Sequence, residues 1–282
     1  MNDFKKEYAE RIKLIDDYMR GVFAQMPECE PPLGEAMEYA VFSGGKRIRS
    51  VLCIETARML TGSIDAALPF AAAIEFIHAF SLVHDDLPCM DNDDYRRGKP
   101  SCHKKFGEDI ALLAGDALLC YASEIMADAC ENGGKNQIRA MRHVLKSAGI
   151  GGMINGQAQD LAIASKGKAD EKRLVELIEQ KTMALIMTGI VSAAYLSDSD
   201  EKTVQDLFDF AYNIGIAFQI RDDFEDEAED SKSEHNSPNF INTLGRFAAL
   251  ERMNGHRAAA ENIIDKYKNN EFIKGLIGYL FD

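Results

Sequence analysis

The 282-residue sequence predicts an all-α protein, a bundle of ten or more helices around a central cavity. Three observations point there. Ala, Leu, Ile, Met, Glu and Lys dominate the chain, while its seven prolines concentrate in the first hundred residues plus Pro238. Apolar residues recur at helical spacing through successive segments. Two acidic clusters, HDDLPCMDNDD from His84 and QIRDDFED from Gln219, lie far apart in sequence, yet both sit in helical stretches.

Periodicity predicts helices over 3–25, 34–60, 66–87, 107–130, 136–147, 151–164, 171–196, 201–227, 245–267 and 270–280. The first is closed by the PECEPP turn, and the RRGKPSCH loop, ENGGK turn and SKGKAD turn punctuate later ones. Segment 66–87 is apolar nearly all round, with Phe70, Ile74, Ile77, Phe80 and Leu82, so it is predicted to be central. Leu207, Phe208, Ala211, Ile214, Gly215 and Phe218 predict a second central helix over 201–227. Between them and the last two helices, EAEDSKSEHNSPNFIN (228–243) is polar and proline-interrupted, and reads as a loop or mobile lid. No repeat or sharp linker divides the chain, which predicts one domain over 1–282.

With 46% hydrophobic residues the chain can bury a sizeable core, and its net charge of -14 argues against a nucleic-acid face. Apolar runs such as LPFAAAI stop short of a membrane span, and the charged opening MNDFKKEYAERIK is no signal peptide. A cytoplasmic protein is expected. The six cysteines show no CxxC or Cys/His spacing and are expected to be free thiols.

The acids carry the chemistry. Asp85 and Asp86 close the helix 66–87, where aligned peptide carbonyls disfavour negative charge, so a bound cation is the natural offset. Asp222, Asp223 and Asp226 share one side of the second helix. Clustered carboxylates suit magnesium better than zinc. Arg96, Arg97 and Lys99 follow the first cluster, and the basic GGKRIR segment (44–49) precedes it. In so acidic a chain, this juxtaposition predicts a phosphate-bearing substrate held between metals and guanidinium groups.

The complete pattern resembles the trans-isoprenyl diphosphate synthase family from roughly Phe4 to Leu280. DDLPCMD with RRGKP resembles its first aspartate-rich motif, in the form with two additional residues between the acids, and QIRDDFED its second. GGKRIR resembles its basic motif, Lys181-Thr182 its Lys-Thr pair, and GMINGQAQDL a further family segment. The resemblance implies the isoprenoid synthase fold and a Mg²⁺-dependent trans-prenyltransferase. Asp85, Asp86 and Asp222 are then direct ligands, with Asp91, Asp223 and Asp226 contributing ligands or ordering water, around about three Mg²⁺ ions. Arg96 and Lys181 assist at the allylic diphosphate. Gly45, Lys46, Arg49, His78 and Arg97 surround the diphosphate of isopentenyl diphosphate. Gln219, Thr182 and Gln157 orient polar groups or stabilise developing positive charge.

The implied reaction ionises dimethylallyl or geranyl diphosphate; the isopentenyl double bond attacks the allylic cation, and proton loss completes the product. Phe80, five residues before the first acid, resembles the chain-length floor of farnesyl diphosphate synthases. The DDLPCMDNDD wording also resembles enzymes making geranylgeranyl diphosphate, and both products stay open. A homodimer is implied as well. The chain departs from the family in its shortened SKSEHNSPNFIN segment, whose only lysine is Lys232, and in Ser50, where a proline often stands. A terpene cyclase would usually lack GGKRIR; a weakly active or noncatalytic regulatory subunit is the other alternative, motivated by the shortened segment.

Overall fold

The structure is a computed structural model that describes residues 2–131, 133–164, 171–229 and 239–281. It is all-α, as predicted, apart from one short hairpin. Helix α1 (Asn2–Ala24) buries Tyr8, Ile15, Met19 and Phe23 along a single stripe. Helix α2 (Pro31–Phe42) starts on a proline, whose missing N–H costs nothing in a first turn. Helix α3 (Ile48–Thr61) stops at Gly62, whose left-handed backbone returns its N–H to the Arg58 carbonyl. Helix α4 (Leu68–Asp85) is buried without interruption from Phe70 to Ile77.

Beyond α4, strands β1 (Tyr95–Arg96) and β2 (Lys99–Pro100) pair antiparallel. Then come α5 (Cys102–Phe106), α6 (Glu108–Glu131), α7 (Lys135–Ala148), α8 (Met153–Ala164) and α9 (Glu171–Ile178). A π-helical turn (Glu179–Met183) leads into α10 (Ala184–Leu196) and α11 (Glu201–Glu229). Helices α12 (Phe240–Leu244), α13 (Arg246–Ile264) and α14 (Glu271–Phe281) complete the described chain.

Helix α10 is apolar all round and packs on α3, α7 and α11, while α4 packs on α3 and α6, so these helices form the interior. Phe70, Phe76 and Phe210 are fully buried there, each worth about 2–3 kcal/mol of transfer free energy. Helix α6 is long and apolar enough to cross a bilayer by length and composition, which a reading by unbroken apolar runs missed. It packs along α4 and α2, burying Ala111, Ala114, Leu118, Ala122 and Met126.

Four elements differ from the sequence reading. The helix predicted over 34–60 is two helices, because Gly44 and Gly45 have positive φ and Arg47 is left-handed. The helix predicted over 171–196 is interrupted by the π-turn. The RRGKPSCH loop is a hairpin running into α5. Within 228–243, Asn239 caps α12 by accepting from the Asn242 N–H, and Phe240 is fully buried, so the end of that segment is core rather than lid. Lys232 lies outside the described residues.

Gly189 of α10 faces α3 so closely that a Cβ would stand 2.6 Å from the Arg49 carbonyl oxygen. Gly189→Ala is expected to destabilise the protein by about 1–3 kcal/mol through overpacking. Urea unfolding at neutral pH checks this; an unchanged midpoint would mean that α3 yields at no cost.

Candidate active site

The break between α2 and α3 builds the basic side of the site. A Cβ on Gly45 would lie 2.7 Å from Arg97 Nη1, so only glycine lets that guanidinium lie over the loop, where it donates to the Gly44 carbonyl. Arg97 reaches it from the hairpin turn, with a left-handed backbone of its own. Arg49 Nη1 and Arg97 Nη2 each stand 3.4 Å from His78 Nε2. Burial, then the surrounding arginines, push the His78 pKa well down, so the ring is neutral. Two facing donors assign the acceptor lone pair to Nε2 and the proton to Nδ1. Nδ1 and the buried Arg49 Nε have no hydrogen-bond partner among the described residues.

Lys46, Arg49, His78 and Arg97 line one cavity of about 580 Å³, together with Gly45 and Asp222. Burial and mutual repulsion hold the arginines below their ordinary pKa. A multivalent anion would relieve that repulsion and satisfy the orphan donors. The five residues assigned by resemblance to the second diphosphate are thus brought together. Arg47 lines the same cavity, but its guanidinium is taken up by donating to Asp16 (3.0 Å), Glu75 (3.1 Å) and the Val41 carbonyl (2.7 Å).

A second cavity, also about 580 Å³, shares Arg49 and His78 with the first. Asp85, Lys181 and Gln157 head it, and Phe80, Leu119 and Leu185 supply apolar wall. Burial is the main reason that the Asp85 pKa rises to about 6, with Asp91 adding to the rise and Lys181 opposing it. Phe80 meets the His84 ring edge-on at 5.0 Å. Gln219 donates to Asp223 (2.9 Å) rather than reaching either cavity wall.

The acids do not converge. Among the described residues no group of three or more His, Cys, Asp or Glu side chains is placed to hold a metal. Asp86 is buried, and its Oδ1 accepts from Arg96 Nε (2.9 Å), while Arg96 also binds Asp93 (3.0 Å). Asp223 Oδ2 accepts from the Phe240 N–H (2.7 Å), which ties α11 to α12. Asp91 projects toward solvent. This differs from the expected three-acid clusters because protein donors lie within reach of the individual acids, Arg96 for Asp86 and the Phe240 N–H for Asp223. The side chains of Asp226 and Thr182 lie outside the described ones.

Sequence reasoning missed the device that aims Lys181. Its ammonium pairs with Asp160 of α8, and a Cβ on Gly156, one turn earlier, would lie 2.7 Å from Lys181 Cα. The Gly156–Asp160 spacing in GMINGQAQDL is the signal, since i,i+4 residues share a helix face. Gln180 is held beside it by Asn155 (2.6 Å) and Gln159 (3.3 Å).

A family model described as polyprenyl synthetase matches residues 30–271. The chain belongs to the polyprenyl synthetase family. It is 36% identical over 279 residues to geranylgeranyl pyrophosphate synthase 4 of Arabidopsis thaliana, covering 97% of this chain and 70% of that one. It is 39% identical over 241 residues to the farnesyl diphosphate synthase of Geobacillus stearothermophilus, covering 81% and 80%. Among solved structures, an FPP/GFPP synthase from Zymomonas mobilis superposes with a TM-score of 0.89 at 31% identity, covering 99% of this chain and 98% of that one.

In this polyprenyl synthetase the donor chemistry fits the family's magnesium. The candidate ligands are all carboxylates, as a hard cation prefers, and Asp85 is a half-buried acid with an upward-shifted pKa. Asp86 Oδ1 takes both Arg96 bonds, which leaves Oδ2 for a cation.

A carboxyl whose folded pKa is raised contributes stability below its unfolded pKa, near 4, and loses it as pH rises through the folded value, about 6. Asp85→Asn is therefore expected to raise metal-free stability at pH 7 by about 1 kcal/mol, discounted for partial exposure, while abolishing most turnover. Thermal unfolding in EDTA checks the first effect and steady-state kinetics with Mg²⁺ the second. A lowered midpoint would show that a nearby cation already stabilises the charged acid.

Proposed function

We propose that the chain condenses isopentenyl diphosphate with dimethylallyl or geranyl diphosphate, and that its product is farnesyl diphosphate. The observation that carries this reading is the pair of cavities meeting at Arg49 and His78, one lined by cations, the other apolar and headed by Asp85 and Lys181. A terpene cyclase has no use for the first.

Asp85, Asp86 and Asp222, with Asp91, Asp223 and Asp226 in support, would hold magnesium, which when bound would supply positive charge against the departing diphosphate. Lys181 stands beside Asp85 to take up the same developing charge, and Arg96, bonded to Asp86, adds to it. Lys46, Arg49, His78 and Arg97 hold the second diphosphate, with Gly45 giving it access to the loop. This aims the isopentenyl double bond at the junction of the cavities. Gln157 offers a polar group beside the allylic site, and family resemblance gives Thr182 and Gln219 the same role. Phe80, Leu119 and Leu185 exclude water, which would otherwise capture the cation.

Product length turns on Phe80. Five helical residues place it about 7.5 Å before Asp85 along α4, where a growing tail would meet it. A geranylgeranyl product is the second reading, favoured by the names of the plant relatives. Incubating the purified protein with Mg²⁺, isopentenyl diphosphate and each short allylic diphosphate tests both. Fifteen-carbon product is expected from the wild type and twenty carbons or longer from Phe80→Ala. A wild type that already makes twenty carbons would overturn Phe80 as the floor, and no condensation at all would overturn the activity.

The active unit is proposed to be one domain, cytoplasmic and homodimeric. Exposed Leu112 and Leu113 of α6, which line neither cavity, support an apolar interface between copies. Sedimentation equilibrium is expected to return twice the chain mass; a monomer at micromolar concentration would reject the dimer.

A further inference from the structure

Besides the half-buried Asp222, the cation-lined cavity contains a buried carboxylate, a group that an anion site should avoid. Glu75 of α4 is 3% exposed and lines the same cavity as Lys46, Arg49, His78 and Arg97. Its Oε2 accepts from Arg47 Nη1 at 3.1 Å, and its Oε1 accepts from the Ser50 hydroxyl at 2.8 Å and, more weakly, from the Ser50 N–H at 3.4 Å. It belongs to no wall of the second cavity.

We propose that Glu75, fixed by Ser50, is the positioning residue that holds the arginine cluster in register for isopentenyl diphosphate. The proposal rests on the basic cavity being the site of that second diphosphate. Arg47 opens α3 in a left-handed conformation, and its guanidinium is consumed by Asp16, Glu75 and the Val41 carbonyl. It therefore sets the path of the loop that carries Lys46 on one side and Arg49 on the other. Glu75 also opposes the burial and the Arg97 repulsion that depress Arg49. Tyr8 fixes the loop from a third side by donating to the Lys46 carbonyl. Ser50 suits this role, because a proline at 50 would lack both the N–H and the hydroxyl that meet Glu75.

Two effects compete when Glu75 becomes neutral. Removing a negative charge strengthens the general pull on an anion. Glutamine, however, keeps one acceptor oxygen where glutamate has two: the Ser50 hydroxyl can turn to the Arg47 carbonyl (3.0 Å) and accept the amide, but either the Arg47 guanidinium or the Ser50 N–H loses its acceptor, and the buried ion pair that fixes Arg47 is gone, so the loop shifts. Register wins in this site, because diphosphate oxygens need several donors aligned at once.

The test is equilibrium binding of isopentyl diphosphate, the saturated and unreactive analogue, to the full chain. Glu75→Gln is expected to weaken binding about tenfold and to raise KM for isopentenyl diphosphate alike, with kcat and KM for the allylic diphosphate changed less than about twofold. Ser50→Ala should weaken binding about threefold, and the double variant should be no weaker than Glu75→Gln, since both act through one carboxylate. Equal or tighter binding by Glu75→Gln, or independent multiplying effects in the double variant, would overturn the inference. If circular dichroism shows Glu75→Gln unfolded, Ser50→Ala decides alone, and unchanged affinity refutes the proposal. Failure of the wild type to bind the analogue would instead remove the diphosphate site, and this inference with it.

Discussion

Charges of one sign can be gathered inside a protein only if something apolar carries them there and something of opposite sign stands close by. Helix α4 meets both conditions. It is buried from Phe70 to Ile77, a stretch whose one charged member, Glu75, is paired with Arg47, and it delivers His78 to the basic cavity and Asp85 and Asp86 to the acidic end. Helices α3 and α10 are equally buried and pack on it, so small changes in their spacing reach the charged groups directly.

Close backbone approach is the recurring means of control. Gly45 admits Arg97, Gly156 admits the Lys181 turn, and Gly189 admits α3. At each point a single methyl group would displace a cation or the helix that carries one. The π-turn at Glu179–Met183 belongs to the same scheme, because one extra residue in the turn rotates Lys181 toward Asp160 and Asp85.

Several polar groups of the site are paired within the protein. Arg96 rests on Asp86, Lys181 on Asp160, and Asp223 on the Phe240 N–H. Among the described residues, Arg49 Nε and His78 Nδ1 are the buried polar atoms of the two cavity walls that find no protein partner. Both lie on residues shared by the cavities, where two substrates would meet.

The all-α class, the central character of α4 and the residues of the basic cavity were legible in the sequence, because helical periodicity and charge beside glycine are local signals, whereas the apolar pattern that counted Phe208 toward a central α11 leaves that ring exposed. So was the family, through the order of its motifs. Only the tertiary structure separated Arg47 from Arg49, which are close members of one basic run: the first is spent on Asp16 and Glu75, the second keeps a free Nε. It also assigned Asp160 to Lys181, Glu75 to Ser50, and α12 to the core, and it turned Asp86 and Asp223 toward protein donors. Each of these depends on which groups lie opposite across a helix–helix contact. Residue type determines what a side chain can bond, but packing decides which partner is within about 3 Å of it.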